Sequence, residues 1–342
     1  MDRDFLRGTN MAKLSLRLLR KYIFSRVGLR DKDVIIGPAY GEDAAIISLN
    51  NKVLVAHVDP ITGAVENIGW LAVHIACNDI AVRGAKPRWL LAVYYLPEDC
   101  DEGLIDRITG QVDRAARELG AMIVGGHTEF TPGISRPLIS MTALGIAEKG
   151  RFVSTGNVRP GDVILMTKTA GVEGTSVLAS DFRELLLKKG ISEALLKRAA
   201  LFIRHISVVK EALALSELEV HSMHDPTEGG ILGGLAEMAY ASNVLIEAWE
   251  KSIPIAEETR VLCGALSLDP LKILGSGTLL AAIPEDEAEE ATKRLSELGI
   301  KSSIIGVARD GRGVRVHRKN GKVEEVGEVV KDEIMELWKS KD

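Results

Sequence analysis

Glutamine occurs once in this 342-residue chain, at Gln111, and cysteine only three times. Cys77, Cys100 and Cys263 are odd in number and widely spaced, with no Cys-x-x-Cys pair, which excludes a disulfide framework and a zinc knuckle. Buried, inert thiols are the reading that remains. The scarcity of thermolabile amides beside abundant Glu and Lys resembles thermophile usage. No block of Lys and Arg interrupts a net charge of −5, so nucleic acid is not an indicated partner. Apolar runs such as residues 89–96 fall far short of the roughly 20 residues that span a bilayer, and no membrane association is expected. Asp2, Arg3 and Asp4 before one Phe and one Leu form no signal-peptide pattern, so the cytosol is the expected compartment. Two phosphate-binding signatures are missing as well. There is no Gly-x-x-x-x-Gly-Lys-Ser/Thr, and no Gly-x-Gly-x-x-Gly follows a strand, so a P-loop or a Rossmann turn is excluded.

With 46% apolar and 27% charged residues, the composition is that of an ordinary globular protein, long enough for two cores. Residues 1–10 show no clear period. Leu14, Leu18, Leu19, Ile23 and Val27 repeat at helical spacing and predict a first helix. Strands are predicted over 34–36, 44–48 and 53–58, the last ending in Asp59 and Pro60. A long apolar helix over 66–83 and a strand over 88–96 follow. An amphipathic surface helix over 101–120 stops at Gly120. Strands over 121–124 and 138–147 complete a βαβ-like unit of mixed strands. The turn-rich stretch 151–162 reads as a domain boundary. Beyond it lie a buried strand at 163–167, a helical region over 171–218, a strand at 220–223, a helix at 227–242 and a strand at 244–248. A strand at 279–283, a helix at 285–298, strands at 302–307 and 313–316 and a tail helix at 329–338 finish the chain. This alternation predicts two layered α+β or α/β units.

Acidic or amide-rich knots punctuate the pattern. They are Gly41-Glu42-Asp43-Ala44-Ala45, His57-Val58-Asp59-Pro60, Asn78-Asp79, Gly125-Gly126-His127-Thr128-Glu129 and His224-Asp225-Pro226-Thr227-Glu228-Gly229-Gly230. Carboxylates are costly to desolvate, so several emerging from core strands suggest a shared cation or a proton-handling site. A hard ion such as Mg²⁺ needs only one or two carboxylates besides phosphate oxygens and water, which points to ATP-handling chemistry.

Each knot also has a structural reading. Asp79, in an otherwise apolar helix, can pair with Arg83 one turn on, while Asn78 beside it adds an oxygen ligand. Asp225, Pro226 and Glu228 can form a capping box that starts a helix. Gly229, Gly230, Gly233 and Gly234 would then occupy its first two turns at about 1 kcal/mol each, a cost that close approach of a ligand or another backbone explains. Asp43 and Asp59 can be turn residues, and Gly125-Gly126-His127-Thr128 a tight turn with a solvated His. Spacing gives no ligand argument for His57 or His224. Gly275-Ser276-Gly277-Thr278 reads as a turn into a strand.

Taken in order, these knots, together with Gly84-Ala85-Lys86-Pro87 and Ser276-Gly277-Thr278-Leu279-Leu280, resemble the aminoimidazole ribonucleotide (AIR) synthase superfamily over residues 33–316. Asn78-Asp79 with Gly84-Ala85-Lys86-Pro87, and Asp225-Pro226-Thr227 with Gly229-Gly230, are most similar to the hydrogenase maturation factor HypE. The resemblance implies a two-domain PurM-like architecture: an N-terminal domain (33–150) that forms a β-barrel across a homodimer and binds ATP, and a C-terminal α/β sandwich (156–318). Residues 1–32 would be an N-terminal extension and helix, and 319–342 a tail helix. It implies that ATP lies in the cleft with Mg²⁺ bridging its phosphates. Asp43, Asp59 and Asp79 would bind metal or orient metal-bound water. His127 and Thr128 would lie beside the triphosphate, with Gly41, Asn78, Gly126, Gly229 and Gly230 contributing to the nucleotide site. Asp79, His127, Asp225 and Glu228 are the implied catalytic residues, acting on a small-molecule substrate, and a maturation-factor partner protein is also implied.

The chain departs from the HypE pattern in four places. No Cys follows Cys263, so the HypE reaction on a C-terminal thiol is not expected. Arg7-Gly8-Thr9-Asn10 is a poor substitute for the N-terminal glycine-rich loop. His127 stands where HypE places Asp. Glu228, where HypE carries Arg, looks more like the thiamine-monophosphate kinase branch. The expectation is an ATP-dependent, HypE-like enzyme with an unassigned acceptor, against an ATP-binding partner protein without turnover or a thiamine-monophosphate kinase.

Overall fold

The structure is a computed structural model that describes residues 16–62 and 66–339. The predicted lead-in over 1–10, the Arg7–Asn10 segment and the final Ser340, Lys341 and Asp342 lie outside the described residues. Leu14 does too, and the described first helix covers Leu16–Leu18 and continues as a π-turn over Leu19–Ile23.

The first sheet contains β1 (Val34–Ile36), β2 (Ala45–Leu49), β3 (Lys52–Ile61), β4 (Lys86–Leu96), β5 (Met122–Phe130) and β6 (Leu138–Glu148), in the order β1-β2-β3-β6-β4-β5. Its pairs are antiparallel except β4 and β5, which run parallel and are joined by the Glu102–Leu119 helix, the βαβ unit the periodicity predicts. That helix begins where Asp101 accepts the Leu104 N–H at 2.8 Å and ends at Gly120 in the left-handed conformation. The Ile68–Ala81 helix packs between it and β3 and β6. Burial along β6 alternates, Ile139, Met141 and Ala143 turning to the helices. The opposite face, with Leu54, Val58, Leu91 and Leu144, has no helix over it among the described residues.

The second sheet contains β7 (Val163–Thr167), β8 (Ser222–His224), β9 (Leu245–Trp249), β10 (Leu280–Ile283), β11 (Ser302–Arg309), β12 (Gly313–His317) and β13 (Val323–Val326), in the order β13-β12-β9-β11-β7-β10-β8. β7 and β10 are buried throughout because both faces are covered. Leu165 and Ala281 face a core shared with the first sheet's helix layer, whereas Ile164, Met166 and Leu280 face the Gly230–Ser242 helix. The fold is thus a mixed α+β arrangement of two sheets, the second sandwiched between helices.

Several expectations are corrected. β3 runs through Asp59 and Pro60 to Ile61, and β5 continues through Gly125-Gly126-His127-Thr128-Glu129 rather than turning. At Gly126 φ is +150°, and a Cβ there would sit 1.9 Å from the Ala92 carbonyl oxygen. Glycine is present because the strand backbones press together at an irregular register, a need that a turn reading mistakes for chain reversal. The helix expected from Thr227 starts at Gly230. The Glu257–Leu266 helix and β13 went unpredicted, and the 171–218 region is broken into short helices.

Gln111 has a specific task. It is buried in the Glu102–Leu119 helix, accepts the Gly69 N–H at 2.9 Å and donates to the Glu66 carbonyl at 2.9 Å, pinning the start of the Ile68–Ala81 helix. Gly69 is needed at the crossing, where a Cβ would lie 2.5 Å from the Ile108 carbonyl. Replacing Gln111→Ala leaves the Gly69 N–H unsatisfied and should cost about 1–3 kcal/mol in urea unfolding. A loss within error would show that the amide does not brace the helix pair.

Candidate functional site

A cavity of about 300 Å³ opens where the two sheets meet. From the first half it is lined by Gly41 and Asp43, which precede β2, by His57 and Asp59 of β3, and by Asp79 of the Ile68–Ala81 helix. The second half contributes His224 of β8, Asp225, Thr227 and Glu228 of the following loop, and Gly233 and Glu237 of the Gly230–Ser242 helix. Five acidic residues singled out from the sequence, Asp43, Asp59, Asp79, Asp225 and Glu228, therefore converge on one space.

The loop over 225–230 is not a capping box. Gly229 occupies the N-cap position with φ +81°, and no side chain caps the helix. Asp225 instead accepts from the Asn78 side chain at 2.9 Å. Asn78 also donates to the Ile206 carbonyl at 2.9 Å and accepts the Val208 N–H at 2.8 Å, so it clamps the two halves. Gly229 donates its N–H to Asp332 at 3.0 Å. Gly230 has φ +60°, and a Cβ on it would meet the Ile273 carbonyl at 2.5 Å. These glycines let a neighbouring backbone approach closely, which seats the loop against the cavity.

Asp79 does not pair with Arg83. Its carboxylate lies 3.0 Å from His57 Nε2, while Arg83, fully buried, reaches Glu42 at 3.1 Å, Asp43 at 2.9 Å and the Met223 carbonyl. Glu42 turns away to accept from Ser154 and the Gly156 N–H. His224 stands between two carboxylates, 2.9 Å from Asp43 and 2.7 Å from Glu237. Burial alone would lower its pKa, but Asp43 and Glu237 raise it to about 10, so both ring nitrogens donate. Burial would likewise raise Asp43, yet His224 and Arg83 hold it below the ordinary carboxylate range. For Asp79 the balance is opposite: burial, then the charges of Asp43, Asp225 and Asp59, push it well above that range. Asp225 is raised chiefly by burial. Its Oδ1 is buried without a hydrogen-bond partner among the described residues.

Spacing missed His57, His224, Glu42, Arg83 and Glu237. The available signal was Arg83 itself, a charge at the end of an apolar helix that had to find partners elsewhere. His127, Thr128 and Gly126 do not line the cavity. They sit on β5, the exposed edge strand, where the His127 side chain is 64% exposed and 3.2 Å from Glu129. No three His, Cys, Asp or Glu side chains among the described residues are arranged to hold a metal ion by themselves. Oxygen donors that complete a shell with phosphate and water do not need such an arrangement.

Comparison with known proteins places these features in context. Residues 41–147 match the N-terminal domain, and residues 159–319 the C-terminal domain, of the family described as AIR synthase related protein. A putative hydrogenase expression/formation protein of Methanocaldococcus jannaschii is 30% identical over 314 residues, covering 88% of this chain and 90% of that one. The carbamoyl dehydratase HypE of Cupriavidus necator is 34% identical over 266 residues, covering 75% and 72%. The solved structure of the hydrogenase maturation protein HypE in complex with ATP superposes with a TM-score of 0.69 at 24% identity, covering 94% and 97%.

The His224 clamp has a pH signature. With an ordinary value of 6.5 and a folded value of about 10, its contribution is complete below pH 6.5 and is lost as pH rises through 10. Unfolding free energy should fall over that window, and His224→Gln should flatten the fall. An identical slope in wild type and variant would refute the doubly charged clamp.

Proposed function

The chain belongs to the AIR synthase related family, and from that membership we propose that it is a Mg²⁺- and ATP-dependent enzyme of HypE-like type. It activates an amide, carboxylate or phosphate group of a small acceptor in the cavity between the two sheets. The observation that carries this reading is the convergence of buried Asp79 and Asp225 with Asp59 on one space. The residues fit a hard divalent ion. All three offer oxygen, Asp225 Oδ1 is unpartnered, and the elevated pKa values of Asp79 and Asp225 are what crowded carboxylates show when no cation neutralises them.

Asp59, Asp79 and Asp225 would hold the ion, which when bound supplies neutralisation of charge on the transferring phosphoryl group. His57 fixes the Asp79 carboxylate, and Asn78 fixes that of Asp225. Asp43, committed to Arg83 and His224, holds the wall in place. Glu228, half-buried at the cavity edge, is placed to take or return a proton from the acceptor. The names of the relatives support work in hydrogenase maturation, and the structural likeness to HypE solved as a HypE-HypF complex supports a maturation-factor partner.

A homodimer accounts for β5. The uncovered face of the first sheet carries Val58 at 57% exposure, and β5 carries Met122 at 66% and Phe130 at 59%. Two such faces closing into a barrel would bury this surface and bring Gly126, His127 and Thr128 towards a nucleotide. Sedimentation should then show a dimer that Val58→Lys converts to a folded monomer; a wild-type monomer at micromolar concentration would exclude the arrangement.

Calorimetry with ATP tests the main reading. Binding should require Mg²⁺ and release protons as Asp79 and Asp225 ionise, so the observed enthalpy should vary with the ionisation heat of the buffer. Asp79→Asn should abolish ATP turnover. Absence of ATP binding in the presence of Mg²⁺ would sink the proposal.

A further inference from the structure

Asn78, which holds Asp225, is itself anchored on Ile206 and Val208, and that stretch of backbone is gripped from a second side. β7 ends at Thr167, and Lys168 follows it with φ +55°. The other non-glycine residues with positive φ among the described ones are Asn50, Asn243 and Ser267, all with short polar side chains. Asn visits the left-handed region by bonding locally, whereas a lysine has no such help, so the reason for Lys168 lies in where its side chain goes. Its ammonium, on a side chain only 17% exposed, donates to the His205 carbonyl at 3.0 Å and the Ser207 carbonyl at 2.6 Å, and lies 2.7 Å from the buried Glu211 carboxylate. Asn78 takes the residues between: it donates to the Ile206 carbonyl and accepts the Val208 N–H. Residues 205–208 are thus held alternately by Lys168 and Asn78. On a third side, a Cβ at Gly277 would meet the His205 carbonyl oxygen at 2.9 Å, so the segment is tightly packed there as well.

Resting on the Mg²⁺- and ATP-dependent reading, we propose that Lys168 is a positioning residue for Asp225, acting through the 205–208 segment and Asn78. One amide nitrogen of Asn78 donates both to the Ile206 carbonyl and to Asp225 Oδ2, each at 2.9 Å, so a shift of the segment turns the amide and the amide moves the carboxylate. With the segment fixed, Oδ2 is tied down and the unpartnered Oδ1 is left for the ion. Lys168 itself stands outside the lining of the cavity. Its charge nevertheless bears on Asp225, behind burial and the nearer Asn78, Asp43 and His224. Charge and position therefore make opposite demands. A positive charge alone repels a divalent ion, so its loss would tighten binding. Loss of a brace lets Asp225 drift from its place and weakens the ion.

Removing the ammonium alone would strand the buried Glu211 carboxylate, so the test is built on Glu211→Gln. Full-length protein with a non-hydrolysable ATP analogue is titrated with Mn²⁺, a paramagnetic stand-in for Mg²⁺. Bound ion is read by electron paramagnetic resonance, and folding of each form is checked by circular dichroism. Glu211→Gln should bind Mn²⁺ within about twofold of wild type. Adding Lys168→Asn, which suits the left-handed backbone but cannot reach the carbonyls, should weaken Mn²⁺ by about tenfold or more. Adding Lys168→Arg instead should return the affinity to within about threefold of Glu211→Gln, since a guanidinium can donate to both carbonyls. Should the Asn form fail to fold, Lys168→Met, which keeps the alkyl stem, takes its place. Unchanged or tighter Mn²⁺ binding without the ammonium, or a loss that Arg does not restore, overturns the inference. A wild-type protein that binds no Mn²⁺ beside the nucleotide analogue is a separate result, seen before any variant is made, and overturns the reading on which the inference rests.

Discussion

A buried guanidinium ties the two halves of this chain together. Arg83 ends an apolar helix of the first sheet's layer, is fully buried, and reaches Glu42 and Asp43 on one side and the Met223 carbonyl of β8 on the other. Removing one partner of a buried ion pair typically costs 3–5 kcal/mol, because the charge left behind has no solvent to answer it. Here the pair also fixes where Asp43 stands, Asp43 fixes His224, and His224 fixes Glu237. The wall of the cavity is a chain of alternating charge anchored at one residue, and Asn78, on the Ile68–Ala81 helix that precedes Arg83, adds a neutral clamp.

How much of this is legible in sequence depends on the range of the interaction. Periodicity and caps are local, so the Glu102–Leu119 helix, bounded by Asp101 and Gly120, and strand β7 are readable with little error. Glycines mislead where their reason is non-local. Gly125 and Gly126 look like a turn because nothing in the neighbouring residues tells that Ala92 presses on them. Gly229 and Gly230 look like poor helix residues because the Leu271–Ile273 segment that crowds Gly230 lies some forty positions away. The acidic knots announce the carboxylates of the site, since charge next to apolar strands is conspicuous. The histidines and Arg83 stay silent, because their partners lie on other elements: Arg83 meets residues 40, 41 and 140 positions away.

The same contrast separates His127 from Asp79. Both sit in motif-like stretches, yet Asp79 lines a cavity, whereas His127 projects from an edge strand, 64% exposed and beside Glu129. Order along the sequence cannot distinguish a residue that lines a cavity from one that stands on an open edge. Exposure does. Every residue of β5 is exposed, although the strand is rich in apolar side chains, and an apolar edge left open is a liability that folds ordinarily cover.

Crowded carboxylates give the cavity its direction. Asp43 is stabilised as an anion by two cations, His224 and Arg83. Asp79 and Asp225, a few residues of chain away from those cations, are pushed the other way, first by burial and then by the neighbouring Asp43 charge. Environment alone separates them, although all three are the same chemical group. Burial favours the protonated form of a carboxyl, so the raised pair holds a proton more readily than Asp43 does. A cation bound beside them would favour the ionised form instead, so its affinity would rise with pH until both carboxyls are ionised. Burial and neighbouring charge thus give three identical side chains on one cavity two opposite acidities.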